Sequence, residues 1–200
     1  MILYIHGFGG SPMGSTVLLL KKYFGETEVK GLNYDARYPD KAIKLLIIQY
    51  QHYEKSLDPN NNILLMASSL GGFFAAEVCA KIGGKLVLFN PALNPFESLA
   101  KYDGETINTP DGPKIFNQQH VKSYEKYCGL DMEETFNKIK LNGFGLRLFT
   151  TDDPIINPQL SASLCTEWGN YTHFPDIKEH RLGESSVRMI KNDITHLCQS

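Results

Sequence analysis

Short apolar runs alternate with longer segments of helical periodicity along most of this 200-residue chain. The short runs are bounded by turn residues, which is typical of strands buried on both faces of a sheet. In the longer segments, apolar side chains recur on one helical face. The predicted strands are residues 2–5, 29–34, 62–66, 86–89 and 145–150, and the predicted helices are residues 12–24, 40–57, 72–82 and a C-terminal helix containing Val187, Ile190, Ile194 and Leu197. This alternation predicts an α/β fold with a mostly parallel sheet and helices on both faces.

Residues 93–140 interrupt the alternation. Glycines and prolines are frequent in the first part, and two further helices are predicted near residues 117–128 and 131–140. We predict that this stretch is an insertion that forms a small helical cap over the carboxyl ends of the strands. The length suits one domain with a substantial core, so the prediction is a single domain over residues 1–200.

Composition excludes several classes of function. The net charge is −2 and no basic run is present, so neither nucleic acid nor an anionic membrane is an expected partner. No apolar run reaches membrane-spanning length, and the N-terminal residues do not resemble a secretory leader, so a cytoplasmic location is expected. The cysteines lie far apart and form no zinc-type pair, so no metal is expected. They are Cys79, Cys128, Cys165 and Cys198.

Residues 67–71, Ala-Ser-Ser-Leu-Gly, lie between a predicted strand and a predicted helix. A serine on a sharp strand-to-helix turn is the nucleophile elbow, and its strained backbone holds the hydroxyl clear of the sheet. Ser69 is the predicted nucleophile, because small residues, Ala67 and Gly71, stand two positions away on each side. Ser68 is an alternative only if the turn shifts by one residue, which places larger side chains at both flanking positions.

A serine nucleophile needs a general base and an acid that orients the base. In α/β hydrolases they follow the serine in the order acid, histidine. Asp153 lies just beyond the predicted strand 145–150 and is the predicted acid, with Asp152 as its rival. His173 precedes the last helix and is the predicted base. His180 is the weaker alternative, because the charged residues before it suggest a solvated helix start.

Two backbone N–H groups are predicted to form an oxyanion hole. One is that of Leu70, at the start of a helix whose dipole favours negative charge. The other is that of Phe8, in the glycine-rich loop His6-Gly7-Phe8-Gly9-Gly10, where glycines allow a close approach to the substrate. His6 is predicted to brace this loop by hydrogen bonding and not to act as the base.

Four sequence segments together point to a known family. They are Ile-Leu-Tyr-Ile-His-Gly-Phe-Gly-Gly-Ser-Pro at 2–12, Ser-Ser-Leu-Gly-Gly at 68–72, Phe-Asn-Pro-Ala at 89–92 and Asn-Pro-Phe-Glu-Ser-Leu at 94–99. With these the chain resembles the YqiA-like small bacterial esterases of the α/β-hydrolase superfamily. The resemblance implies a minimal hydrolase that lacks the first strands of the fold, has esterase activity and uses no cofactor. It also implies the triad Ser69, Asp153 and His173.

The predicted function is therefore that of a serine hydrolase. We expect it to cleave carboxylic esters or thioesters of small acyl groups through an acyl-serine intermediate, so its partner is a small-molecule substrate. Two alternatives are a non-catalytic binding or scaffold protein on the same fold and an amidase or peptidase. The aromatic residues that could line the acyl pocket are Phe8, Phe96, Tyr124 and Phe174. The sequence does not indicate an oligomeric state.

Overall fold

The computed structural model describes residues 1–58, 61–127, 130–141, 146–165 and 171–199. Its strands are β1 (Ile2–Ile5), β2 (Val29–Leu32), β3 (Leu64–Ser69), β4 (Lys85–Pro91), β5 (Thr106–Thr109), β6 (Gly112–Ile115), β7 (Leu146–Thr151) and β8 (Tyr171–Phe174). Six of them form a parallel sheet in the order β2-β1-β3-β4-β7-β8, and β5 and β6 form a separate antiparallel hairpin. The predicted parallel sheet is confirmed.

Helices cover both faces of this sheet. They are α1 (Ser15–Phe24), α2 (Pro39–Ser56), α3 (Leu70–Ile82), α4 (Pro95–Leu99), α5 (Gln118–Lys122), α6 (Leu130–Leu141), α7 (Pro158–Cys165) and α8 (Glu184–Gln199). Successive side chains of a strand point to opposite faces. Accordingly, Leu3 and Ile5 of β1 belong to the apolar cluster that includes buried residues of α2 and α3, whereas Ile2 and Tyr4 belong to the cluster formed with α1 and α8. Burial on both faces explains the continuous apolar runs of the sequence.

The insertion at residues 93–140 has two parts. Its first part, which includes the β5–β6 hairpin that the sequence pattern did not predict, contacts the glycine-rich loop: Asn108 Nδ2 donates to the Gly9 carbonyl at 3.1 Å. Its last helix, α6, packs on α3, where Thr135 Oγ1 donates to Glu77 Oε1 at 2.7 Å. The hairpin therefore lies beside the loop that follows the carboxyl end of β1, whereas α6 lies on α3. Cys128, residues 142–145 and residues 166–170 lie outside the described ranges.

The C-terminal third also differs from the sequence prediction. Residues 171–174 form a strand that was not predicted, and α7 was not predicted either. The last helix begins at Glu184, later than the charged residues before His180 suggested. Within the described ranges, none of the helices combines the length and the apolar character that crossing a bilayer requires.

Candidate active site

Ser69 stands on the sharp turn between β3 and α3. Its backbone has φ 52° and ψ −130°, a conformation that costs a non-glycine residue about 1–3 kcal/mol. Close approach of the chain enforces this turn: a Cβ atom on Gly71 would lie 2.2 Å from the carbonyl oxygen of Ile5 and 2.5 Å from that of His6. Ser68 lies within β3 and makes a hydrogen bond through its hydroxyl to that of Tyr4. The strained residue is therefore Ser69, in agreement with the sequence interpretation.

A cavity of about 750 Å³ opens beside Ser69. One part of its lining is apolar and includes Phe8, Leu70, Ala92, Leu99, Tyr102 and Ile156. Another part is polar and includes Tyr4, Thr16, Ser68 and Arg181. His180 also lines this cavity, which brings an imidazole to the same space as the elbow serine.

His180 is paired with Asp153. Its Nδ1 lies 2.7 Å from Asp153 Oδ2, and the Asp153 side chain is 0% exposed. The other carboxylate oxygen accepts hydrogen bonds from the backbone N–H groups of Ile155 at 2.7 Å and Ile156 at 3.2 Å. When His180 Nδ1 donates its hydrogen to this carboxylate, Nε2 is left as an acceptor for a proton. This is the acid–base pairing that a serine nucleophile requires.

His173 lies elsewhere. It is part of β8, at the edge of the sheet, where it pairs in register with Thr150. Its Nδ1 lies 2.9 Å from Thr150 Oγ1, and its Nε2 lies 3.2 Å from Asp152 Oδ1, a carboxylate that is 48% exposed. His173 is not among the described residues that line the Ser69 cavity.

The geometry thus joins Asp153 with His180 and leaves His173 with Asp152. The predicted pairing of Asp153 with His173 is therefore wrong: the histidine that pairs with Asp153 and lines the Ser69 cavity is His180. The physical reason is the place of β8: it is the edge strand, separated from β3 and Ser69 by β4 and β7, so residue 173 is held at the margin of the sheet. The chain beyond β8 returns to β4, where Asn90 Nδ2 bonds to the Glu179 carbonyl. The apolar-polar pattern of Tyr171-Thr172-His173-Phe174 is the signal that could have revealed this strand.

The two predicted oxyanion donors lie close to the serine. Leu70 is the first residue of α3, so its N–H has no carbonyl partner within the helix. The loop that carries Phe8 runs against the elbow, because a Cβ atom on Gly7 would lie 3.5 Å from Ser69 Oγ. Both Phe8 and Leu70 line the cavity, which is consistent with the predicted role of their amides.

His6 is tied to the loop that it begins. Its Nδ1 donates to the Gly7 carbonyl at 2.9 Å, and its ring stacks on Tyr34 with centroids 4.5 Å apart. Tyr34 in turn donates its hydroxyl hydrogen to the His6 carbonyl at 2.6 Å. Burial lowers the pKa of His6 below its ordinary value, which favours the neutral imidazole. These contacts agree with the predicted bracing role.

Of the four aromatic residues predicted as lining, only Phe8 faces the cavity. Tyr124 is fully buried and donates its hydroxyl hydrogen to the Ala36 carbonyl, and Phe174 stacks on Phe149. Phe96 packs against the apolar core. Among the described residues, no three histidine, cysteine or acidic side chains come together as a metal site would require.

Known structures share this fold. Est1E from Butyrivibrio proteoclasticus superposes with a TM-score of 0.72 at 17% identity, covering 100% of this chain and 88% of that one. A structure from work on LipS and LipT, two metagenome-derived lipolytic enzymes, superposes with a TM-score of 0.71 at 12% identity, covering 100% of this chain and 93% of the other. At such identities the likeness concerns the fold, and it confirms the predicted α/β-hydrolase architecture.

Sequence comparison adds the family. A UPF0227 protein of Vibrio atlanticus strain LGP32 is 31% identical over 169 residues, which is 84% of both chains. Another, from Pasteurella multocida strain Pm70, is 25% identical over 187 residues, or 93% of both chains. The sequence model described as "Uncharacterised protein family (UPF0227)" matches residues 1–168. With most of its length matched, this chain belongs to the UPF0227 family, the YqiA-like proteins with the α/β-hydrolase fold.

Proposed function

We propose that this protein is a serine hydrolase that cleaves carboxylic esters or thioesters of small acyl groups. The observation that carries the proposal is that His180, paired with the buried carboxylate of Asp153, lines the cavity beside Ser69 on its strained turn. In this proposal Ser69 is the nucleophile, His180 is the base and Asp153 behind it is the orienting acid, and the amides of Phe8 and Leu70 in the same cavity lining are the oxyanion donors.

The reaction follows from these positions. His180 Nε2 takes the hydroxyl proton of Ser69 as the serine oxygen attacks the substrate carbonyl carbon. The amides of Leu70 and Phe8 stabilise the oxyanion, and the imidazolium returns its proton to the departing alcohol or thiol. Water, deprotonated by the same histidine, then attacks the acyl carbon, and the imidazolium returns this proton to the departing Ser69 oxygen as the acid is released. Asp153 holds the imidazole in the required tautomer throughout.

The cavity supports a small acyl substrate. Its volume of about 750 Å³ lies within the range of roughly 300–1,000 Å³ that is usual for small-molecule sites. Its apolar wall, with Phe8, Leu99 and Tyr102, suits the acyl chain. Among the proteins of this fold, Est1E has been solved with ferulic acid bound.

The first test concerns Ser69. The purified protein is assayed with short and long acyl esters, acyl thioesters and amides, and is treated with a fluorophosphonate probe. We expect hydrolysis and labelling in the wild type, and in Ser69→Ala a loss of turnover of roughly 10⁶-fold with no labelling. Preferential cleavage of amides would favour the amidase alternative, and folded wild type that neither labels nor hydrolyses would favour a binding protein.

The second test separates the two histidines. His180→Gln removes the proposed base, and His173→Gln is its matched control, because it makes the same change at the other histidine–aspartate pair. We expect a loss in kcat of at least roughly 10⁴-fold for His180→Gln and only a minor change for His173→Gln. The opposite ranking would return the base to His173 and refute the revised triad.

A further inference from the structure

Asn90 is a buried polar residue that the proposed mechanism leaves unused. It lies near the end of β4, is 1% exposed and does not line the cavity. Its φ is 42°, and among the described residues Ser69 is the only other non-glycine with positive φ. A buried amide in a strained conformation calls for a physical reason, because both features destabilise a protein unless surrounding contacts compensate.

The side chain of Asn90 bonds to the strand that leads to the acid. Its Oδ1 accepts the backbone N–H of Thr151 at 2.9 Å, and its Nδ2 donates to Thr151 Oγ1 at 2.9 Å. The backbone pairing of β4 with β7 ends at Phe89 and Phe149. Beyond this point it is the Asn90 side chain that bonds to β7. Asp153 follows two residues later, and its N–H donates to the Thr151 carbonyl at 2.8 Å.

The same amide holds the backbone that carries the base. Asn90 Nδ2 donates to the carbonyl oxygen of Glu179 at 2.7 Å, with that of His180 at the longer distance of 3.4 Å. Thr151 Oγ1 donates to the Glu179 carbonyl at 2.6 Å, which closes a three-residue network. The acid loop and the base loop are therefore joined through one side chain.

The backbone of this segment reaches the nucleophile. Beyond Asn90 the register between β3 and β4 shifts, so that Ser69 pairs with Pro91. The N–H of Ala92 then donates to the Ser69 carbonyl at 2.9 Å. The positive φ of Asn90 accompanies this shift, and asparagine tolerates such a conformation better than most residues.

We propose that Asn90 is a positioning residue that sets the Asp153–His180 pair relative to Ser69, through its bonds to Thr151 and to the Glu179–His180 backbone. This inference rests on the proposed function. Asn90 does not contact the substrate, and it affects catalysis through the position that it gives to His180.

The test uses two substitutions at Asn90. Asn90→Gly tolerates the positive φ but removes the amide. Asn90→Asp keeps the shape and the acceptor for the Thr151 N–H, but turns an oxygen toward the two carbonyls. The matched control is Asn192→Asp, which makes the same change of charge at an exposed position of α8. With a chromogenic short-chain ester, both Asn90 variants should lose roughly 10²-fold in kcat, with KM within about twofold of wild type, and the control should lose nothing.

A spectroscopic readout distinguishes positioning from general destabilisation. The low-field proton NMR signal of the imidazole N–H shared between His180 and Asp153, assigned by its loss in His180→Gln, should weaken or shift in Asn90→Gly and stay in the control. The proposal is overturned if folded Asn90→Gly keeps this signal and wild-type kcat, or if kcat falls only in proportion to the folded fraction. If the wild type hydrolyses no ester, the proposed function fails, whereas the NMR comparison still decides the role of Asn90.

Thr151 keeps the proposal testable if the Asn90 variants do not fold. Thr151→Val removes the hydroxyl that bonds to Asn90 and Glu179, whereas the conservative Thr151→Ser keeps it. We expect the valine variant to show the kcat loss and the altered NMR signal. The serine variant should keep the kcat and the NMR signal of the wild type. Equal behaviour of the two variants would contradict the network.

Discussion

Adding one methyl group at Gly71 should damage both the stability and the activity of this protein. The Cβ atom of Gly71→Ala would meet the carbonyl oxygens of Ile5 and His6 at 2.2 and 2.5 Å. Ordinary contacts of a Cβ atom begin near 3.4 Å, so the start of α3 must move away from β1 by about 1 Å. β1 cannot yield, because it is paired on both sides, with β2 and β3.

The size of the effect follows from that displacement. Overpacking usually costs about 1–3 kcal/mol, and a clash with backbone belongs at the upper end. The higher helix propensity of alanine returns at most about 1 kcal/mol. We therefore expect a net loss of at least about 2 kcal/mol in the free energy of unfolding. Because the shift also moves the Leu70 amide and Ser69, kcat should fall by roughly 10²-fold.

Urea unfolding and ester kinetics on the same preparations measure both effects. The matched control is Ala67→Gly, which changes one methyl group on the other side of the same turn, at a residue that is fully buried. Loss of that methyl should cost only about 1 kcal/mol and leave kcat within severalfold. Wild-type stability and kcat in Gly71→Ala would refute the close approach of α3 to β1.

Three further predictions concern individual side chains. Asp153→Asn should lower kcat by roughly 10⁴-fold, because it removes the buried carboxylate that pairs with His180, whereas Asp152→Asn should have little effect. Steady-state kinetics of both variants measures the two losses, and equal losses would contradict the pairing. Ser69→Gly should be at least about 1 kcal/mol more stable than Ser69→Ala in urea unfolding, because glycine relieves the backbone strain; equal stability would show that the turn is not strained. Burial lowers the pKa of His6 below its ordinary 6.5. As the pH falls, His6 is therefore protonated at a higher pH in the unfolded chain than in the folded protein. Stability should therefore decline below roughly pH 6.5, by at most about 1.4 kcal/mol per pH unit from this group, and the decline should be smaller in His6→Gln.

The elements of the sheet could be predicted well because their signals are local. The apolar runs that became β1, β3 and β4 are buried on both faces, so the sequence shows them as continuous. The elbow at Ser69 could be found for a similar reason, since small residues are needed at fixed spacing around it. The edge strand β8, the β5–β6 hairpin and α7 were missed, because their short segments carry weaker patterns.

The histidine partner of Asp153 was the main error, and it was an error of tertiary structure. Two histidines follow two adjacent aspartates, and the order along the chain permits every pairing. The choice depends on where the backbone crosses the sheet: the pairing of β8 with β7 holds His173 at the sheet edge, and the bonds of Asn90 to the Glu179–His180 backbone bring His180 back beside β4.

The sequence alone determined the parallel sheet, the helices on both faces and the serine on its turn, because each depends on residues that are close together in the chain. Only the tertiary structure decided that Asp153 meets His180 and that His173 stays at the sheet edge with Asp152. Hydrogen bonds between distant segments and the exclusion of water from one carboxylate made that choice, and neither leaves a pattern in neighbouring residues.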